Sequence, residues 1–269
     1  MKVSVAIITY NHEAFIAQAM ESVLAQQTEF DFEMIVIDDH STDATAEIVR
    51  RYQERHPARI RAFFHEKNQG PRKTMEEALL ACAGEYIALL DGDDYWTSTH
   101  KLQQQAELLD NHPEMTLCFH PTLYRFDDGE ERLSHPRDRL DAFTLDNLIT
   151  YNPVHSQAIV FRKSIFSGYP AWMRENPQFP GDYFLVITAA LKGSIGFIDE
   201  PMSVYRVHDQ GVWGKLDYCA RLGVEIKMNR LLRQWLGRQY LVPLLRGYLA
   251  LWGARIRCQL LRVARLSRS

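Results

Sequence analysis

A mostly parallel, Rossmann-like α/β sheet flanked by helices, with a basic amphipathic helical extension behind it, is the fold this sequence predicts. Three observations carry the prediction. Short apolar runs alternate with amphipathic stretches through the first third of the chain, the mark of parallel strands joined by crossover helices. The run from Glu85 to Trp96 leads a buried strand straight into Asp91, Asp93 and Asp94. Charge divides at Trp213: residues 1–213 hold 19 Lys and Arg against 32 Asp and Glu, a net −13, whereas residues 214–269 hold 12 against 2, a net +10.

The elements follow in order. Val3–Thr9 reads as the first strand, its apolar stretch too short for a signal peptide and without a small-residue cleavage site. Glu13–Gln26 is a helix with Phe15, Ile16, Ala19, Met20, Val23 and Leu24 on one face. Phe32–Asp38 is the second strand, and Ser41 or Thr42 caps a helix over Asp43–Tyr52, with Asp43 near its positive end. Ile60–Phe64 is a third strand, Thr74–Ala83 a helix ended by Gly84, and Tyr86–Leu90 the fourth strand. Beyond the acidic turn the pattern is mixed: a helix Lys101–Asn111, a strand Met115–Leu123, a polar turn at Asp127-Asp128-Gly129 and an apolar run Ser156–Phe161. A helix from Gly181 to Ala190 and short strands Ile195–Ile198 and Met202–Val207 complete it. With no linker, repeat or low-complexity segment, residues 1–213 read as one domain and 214–269 as a distinct helical extension.

Composition excludes several classes. At 269 residues, 46% hydrophobic and 24% charged, the chain is an ordinary globular protein. Cys82, Cys118, Cys219 and Cys258 lie far apart without a Cys-x-x-Cys pair, so neither a zinc site nor a disulfide scaffold is expected, and a reducing cytosol fits. No Gly-x-Gly-x-x-Gly follows the first strand and no Gly-Lys-Ser/Thr loop occurs, which argues against dinucleotide oxidoreductases and phosphate-loop NTPases.

In open α/β sheets ligands bind beyond the carboxyl ends of the strands, so Asp91, Asp93 and Asp94 sit in the functional crevice, with Gly92 for a sharp turn. Hard oxygen donors of this kind suit Mg²⁺ or Mn²⁺, which complete their shells with water and substrate phosphates. An acidic solvated turn is the plain alternative.

Four ordered motifs decide between them. Val5–Asn11, Val36–Asp43, Asn68-Gln69-Gly70 and Leu90–Asp94 resemble the consecutive signatures of family-two glycosyltransferases of the GT-A fold, particularly small bacterial members. The resemblance continues through Pro180-Gly181-Asp182-Tyr183 and Val204–His208, and so covers roughly residues 1–213. It implies a nucleotide-sugar donor, with Thr9, Tyr10, Asn11 and Gly70 at the nucleotide and Asp39 accepting a pyrimidine N–H, which points to UDP; a helix-capping carboxylate is the structural alternative for Asp39. Asp91 is then placed near the ribose or the metal and Asp93 on the metal, while Asp94 either faces the acceptor or caps the next segment. His208 is implied as a metal or diphosphate ligand. Asp182 is implied as the general base of an inverting displacement, with an N-cap as its structural alternative. Many members of the family carry an acidic pair where this chain has Gly181-Asp182, so one carboxylate transfers. The other histidines, including His40, His65, His120 and His155, read as ordinary polar residues, and Arg206 and Lys73 either offset diphosphate charge or are solvated cations.

The extension, Leu231–Leu266, is helical in composition, rich in Trp, Leu and Arg, and interrupted by arginine too often to span a bilayer. Arginine with tryptophan on an amphipathic helix suits an interfacial helix on anionic lipid, at the inner face of the cytoplasmic membrane; packing on the domain or on a second subunit is the rival. No nucleic-acid reader motif accompanies the basic residues. The functional expectation is a metal-dependent, inverting hexosyltransferase that extends a bacterial surface glycan such as lipopolysaccharide or a lipid-linked acceptor. The alternatives are a nucleotidyltransferase of similar core and a non-catalytic nucleotide-sugar-binding assembly protein.

Overall fold

The computed structural model describes residues 1–135, 143–176, 179–208, 211 and 218–266, with side chains to 258. Strands β1 (Val3–Thr9), β2 (Phe32–Asp38), β3 (Ile60–Phe64) and β4 (Tyr86–Asp91) alternate with helices α1 (Ile16–Leu24), α2 (Thr45–Arg55) and α3 (Pro71–Ala81). Then come β5 (Tyr95–Trp96), α4 (Lys101–Asn111), β6 (Met115–Phe119), β7 (Thr122–Phe126), β8 (Glu131–Ser134), α5 (Leu145–Thr150) and β9 (Val160–Arg162). The chain continues through α6 (Ala171–Glu175), α7 (Gly181–Lys192), β10 (Ser194–Phe197), β11 (Ser203–Val207), α8 (Tyr218–Leu236) and α9 (Leu241–Leu266).

Seven strands form the main sheet in the order β10-β6-β9-β4-β1-β2-β3, parallel except for β9, which runs antiparallel to both neighbours. A second sheet, β5-β11-β7-β8, lies beside the acidic turn. Alternation along the central strands divides the core into two layers. Val3, Val5 and Ile7 of β1 with Tyr86, Ala88 and Leu90 of β4 meet α1 and α4, whereas Ala6, Ile87 and Leu89 face α3, α5 and α7. Both faces are covered, as a parallel sheet requires.

Several expected boundaries move for local reasons. The stretch Met115–Leu123 is two strands in different sheets, because Pro121 has no N–H to continue a ladder. The start expected at Ser41 or Thr42 shifts to Thr45, whose N–H is accepted by Asp43 Oδ1 at 3.0 Å. Ser41 is committed elsewhere: its hydroxyl donates to Asp38 and accepts the Asn11 N–H at 2.9 Å. The third helix begins at Pro71, where fixed φ suits a first helical position. Of the run Ser156–Phe161, residues Ser156–Ala158 form a 3₁₀ turn, and only the end joins β9. β8 escapes the sequence pattern because it is polar and exposed.

The extension is two helices rather than one run, separated by Gly237 at φ 78°. Its inner side belongs to the main core. Met228, Leu232, Leu236 and Leu244 are buried with the residues of α5 and α7, and the Trp235 ring stacks on Phe184 with centroids 4.9 Å apart. Cys219 and Cys258 form a disulfide that ties α8 to α9. That corrects the expectation of four unpaired cysteines: a spacing of 39 residues gives no sequence signal, and only the antiparallel return of α9 brings the two sulfurs together. The reducing-compartment reading rested on unpaired cysteines and loses that support. Only Cys82 and Cys118 are free, and both are buried. The boundary expected at Trp213 lies outside the described residues.

Candidate active site

The carboxyl ends of β1, β2 and β4 lie side by side, because β1 pairs with β2 on one edge and β4 on the other, with Thr9 opposite Asp38 and Ile8 opposite Asp91. This register brings the separate sequence motifs into one crevice. Thr9 is buried with its hydroxyl unpartnered, and Tyr10 is exposed. Asn11 adopts the left-handed region, φ 55°, and its side-chain oxygen accepts the Thr42 N–H at 2.8 Å, which joins the ends of β1 and β2. Gly92 is demanded by packing rather than by an unusual φ. A Cβ there would stand 2.7 Å from Thr9 Oγ1 and 2.9 Å from His12 Nδ1.

Asp39 is 3% exposed and heavily engaged. Its carboxylate accepts the Gln69 and Gly70 backbone N–H groups, each at 2.8 Å, and lies 2.7 Å from His65 Nδ1. The other ring nitrogen of His65 is 2.8 Å from Glu77. Burial alone would lower the His65 pKa, but hydrogen bonds to Asp39 and Glu77 outweigh it and hold the imidazolium. Asp39 thus fixes the turn that carries Gly70, φ 86°, into α3, while a carboxylate's four acceptor positions leave room for one more donor.

The β4 cluster is built differently. Asp91 accepts a single side-chain hydrogen bond, 2.6 Å from the Ser156 hydroxyl, and its pKa is pushed up to about 7 by burial, then by the charges of Asp93 and Asp182. Asp93 is partly open, and two imidazoles converge on its Oδ2: His208 Nε2 at 3.1 Å and His12 Nε2 at 3.6 Å. Burial would raise the Asp93 pKa, yet the His208 hydrogen bond and the neighbouring His12 keep it low. Asp94 is 1% exposed; Oδ1 accepts the Arg206 N–H at 2.8 Å and Oδ2 has no partner among the described residues. Burial and the two neighbouring carboxylates push its pKa well above the ordinary value. Asp94 is therefore tied to β11 rather than open to the crevice. Arg206 likewise grips the Asp93 carbonyl and Gln18, with its guanidinium 4.5 Å from the Tyr95 ring, so it braces the turn from behind.

Asp182 lies on the first turn of α7, where Pro180 is the cap residue and makes no side-chain capping bond. Its own Oδ1 accepts the Tyr183 N–H at 2.8 Å, and burial raises its pKa. Gly181 has a steric cause: a Cβ would meet the Tyr169 hydroxyl at 2.3 Å. The Tyr169 ring, 3% exposed with its hydroxyl unpartnered, takes the space that a first acidic side chain would need.

The donor set fits a divalent cation in part. Asp91, Asp93 and His208 offer oxygen and imidazole donors, and Mg²⁺ or Mn²⁺ needs only one or two protein carboxylates when phosphates complete the shell. Among the described residues no group of three or more His, Cys, Asp or Glu is arranged to hold a metal unaided. A cation here would be shared with a bound diphosphate. Sequence reasoning missed His12, His65 and Ser156. His12 is next to a recognised motif and could have been found; the other two act across folds of 26 and 65 residues and carry no local signal.

Comparison with known proteins agrees with this architecture. The family model "Glycosyl transferase family 2" matches residues 4–207. A Mycobacterium tuberculosis protein of uncharacterised function is 37% identical over 216 residues, covering 78% of this chain and 60% of its own length. A Nostoc glycosyltransferase, also uncharacterised, is 29% identical over 227 residues, 77% of this chain and 65% of its own length. The chain therefore spans less than two thirds of these relatives. Among solved structures, TarS from S. aureus in complex with UDP-GlcNAc superposes with a TM-score of 0.64 at 24% identity, over 87% of this chain and 67% of that one. The mannosyltransferase PcManGT from Pyrobaculum calidifontis, in complex with GDP-Man and Mn²⁺, gives 0.67 at 18% identity, over 93% and 69%. At such identities the likeness concerns the fold, which is that of GT-A glycosyltransferases. With a family model over most of its length and this fold around the crevice, the chain belongs to glycosyl transferase family 2.

Proposed function

We propose that the protein transfers a sugar from a UDP-sugar to a hydroxyl of a growing surface glycan or lipid-linked acceptor, with inversion at the anomeric carbon. The observation that carries this reading is the meeting of two acidic groups in one crevice. The partly open Asp93 with His208 stands at the end of β4, and Asp182 stands on α7, close enough for its charge to act on Asp91. A divalent cation on Asp93, with Asp91 and His208 as further donors, would neutralise charge gathered on the departing diphosphate, which favours the transition state over the ground state.

The chain's own residues do the rest. Tyr10, Asn11 and Gly70 line the nucleotide side, and Asp39 keeps an acceptor position for an imide N–H, which uracil has. Guanine also offers a ring N–H, and the two solved relatives named above bind UDP-GlcNAc and GDP-Man respectively. Asp182, its pKa raised by burial, is a stronger base than an exposed carboxylate and takes the proton of the acceptor hydroxyl as that oxygen attacks. Ser156 keeps Asp91 oriented, and buried Asp94 keeps the turn on β11.

The test is a donor panel. UDP-, GDP-, dTDP- and CMP-sugars are incubated with Mn²⁺, Mg²⁺ or EDTA, released nucleotide is measured, and the anomeric configuration of any product is read by NMR. Preference for UDP, cation dependence and inversion support the reading. Preference for a purine nucleotide defeats the base assignment, and formation of a nucleoside triphosphate from an NDP-sugar only when pyrophosphate is added would instead indicate a nucleotidyltransferase.

A further inference from the structure

Helix α9 has two faces, and among the described residues only one has a partner. On the inner face Leu244 is fully buried, its carbonyl accepts the Asn229 side-chain N–H at 3.1 Å, Gly247 lies against the backbone of Ile149 and Thr150, and Cys258 is bonded to Cys219. On the outer face Val242 is 59% exposed, Leu245 37%, Leu249 68% and Ile256 49%, and Gly253 between them meets nothing. At 3.6 residues per turn these positions fall in a sector of roughly 80° opposite Leu244 and Cys258. Exposed Arg246 and Arg257 run along one side of that sector. From Ile226 to Ser269 the chain holds 10 Lys and Arg and neither Asp nor Glu.

We infer that this outer face of α9 is a docking surface for an anionic lipid bilayer, on which the helix lies flat with Leu245, Leu249 and Ile256 inserted at the headgroup boundary. Apolar residues framed by arginine match a layer whose interior is apolar and whose surface is negative. Pairing of this face with the same face of a second copy matches poorly, because it would bring an equally basic, acid-free segment against this one. No helix among the described residues is long and apolar enough to cross a membrane, so α9 rests on the layer rather than through it. The inner face then has a purpose as well. α9 packs on α5, and the Tyr183 hydroxyl of α7 donates to the Leu148 carbonyl of α5 at 3.1 Å, so the docked helix is connected through α5 to the helix that carries Asp182. The inference does not depend on the proposed chemistry, since vesicle binding requires no turnover.

Flotation of the full-length protein with phosphatidylcholine vesicles, with and without phosphatidylglycerol, is the test. Removing the extension would strip Leu232, Leu236 and Leu244 from the core, so point variants on the exposed face are used instead. Wild type should bind only the anionic vesicles, and binding should weaken with salt. Arg246→Gln with Arg257→Gln should lower the apparent affinity by about thirtyfold, at about fivefold for each charge near the surface. Leu249→Glu should abolish binding while leaving the melting temperature and released-nucleotide assay unchanged. Equal flotation of wild type and Leu249→Glu, or indifference to lipid charge, overturns the proposal. So does a concentration-dependent dimer that Leu249→Glu dissociates, which would assign the face to a second copy.

Discussion

Two carboxylate clusters end the strands on either side of β1, and they are held in opposite ways. At the end of β2, Asp38 and Asp39 accept hydrogen bonds from Ser41, Gln69, Gly70 and His65, and each oxygen has a donor. At the end of β4, Asp91, Asp93 and Asp94 crowd together with fewer donors, Asp94 Oδ2 has none, and the pKa of both Asp91 and Asp94 is raised. The first cluster uses its charge to fold the loops that lead into α2 and α3. The second stores repulsion that a cation can relieve, which is where chemistry is expected. Satisfied carboxylates make a frame and under-satisfied ones make a site.

The largest effect that could break this contrast comes from Asp182. Replacement by Asn should lower turnover by about 10²–10⁴-fold, the usual worth of a general base. Nucleotide affinity should be kept, so titration calorimetry with UDP and a kinetic assay should part company. Loss of UDP binding together with activity would move Asp182 from the site into the frame.

His65→Gln probes the frame itself. It removes two charge-assisted hydrogen bonds beneath the loop and should cost about 1.5–3 kcal/mol of stability. The sign with pH follows from the raised pKa. Folding favours the imidazolium, so the His65 contribution is complete below the unfolded value near about 6.5 and is lost as pH rises through the raised folded value. Melting curves should therefore give a gap between wild type and variant that is full below about pH 6.5 and narrows as the pH rises above it. A gap that widens would mean that His65 acts as a neutral ring.

Gly181→Ala sharpens the boundary between the two. Its Cβ must displace the Tyr169 hydroxyl, at a cost of about 1–3 kcal/mol. Tyr169→Phe in the same background should restore much of that loss. Absence of rescue would place the conflict in the helix backbone.

Much of the fold was legible because β1 to β4 and α1 to α3 obey simple periods, and the alternation of Val3, Val5 and Ile7 is visible in the chain itself. The motifs Val5–Asn11, Val36–Asp43 and Leu90–Asp94 were legible for the same reason: each ends a strand, and parallel register places strand ends together. What escaped depends on contacts made at a distance. The Cys219–Cys258 bond, the Ser156 hydroxyl on Asp91, the Tyr169 ring over Gly181 and the split at His120-Pro121 all need the chain to be folded before residue type acquires meaning. Within the extension, composition announced an amphipathic basic segment but could not say that Leu244 turns inward and Leu249 outward.

The under-satisfied cluster of β4 is proposed to take a cation together with a nucleotide diphosphate. Titration of UDP into wild type and Asp93→Asn, each in Mn²⁺ and in EDTA, tests it most directly. EDTA should weaken wild-type binding by about tenfold or more, a difference of about 1.4 kcal/mol, and Asp93→Asn should remain folded yet bind UDP equally weakly in both. Equal wild-type affinity with and without the cation would contradict it.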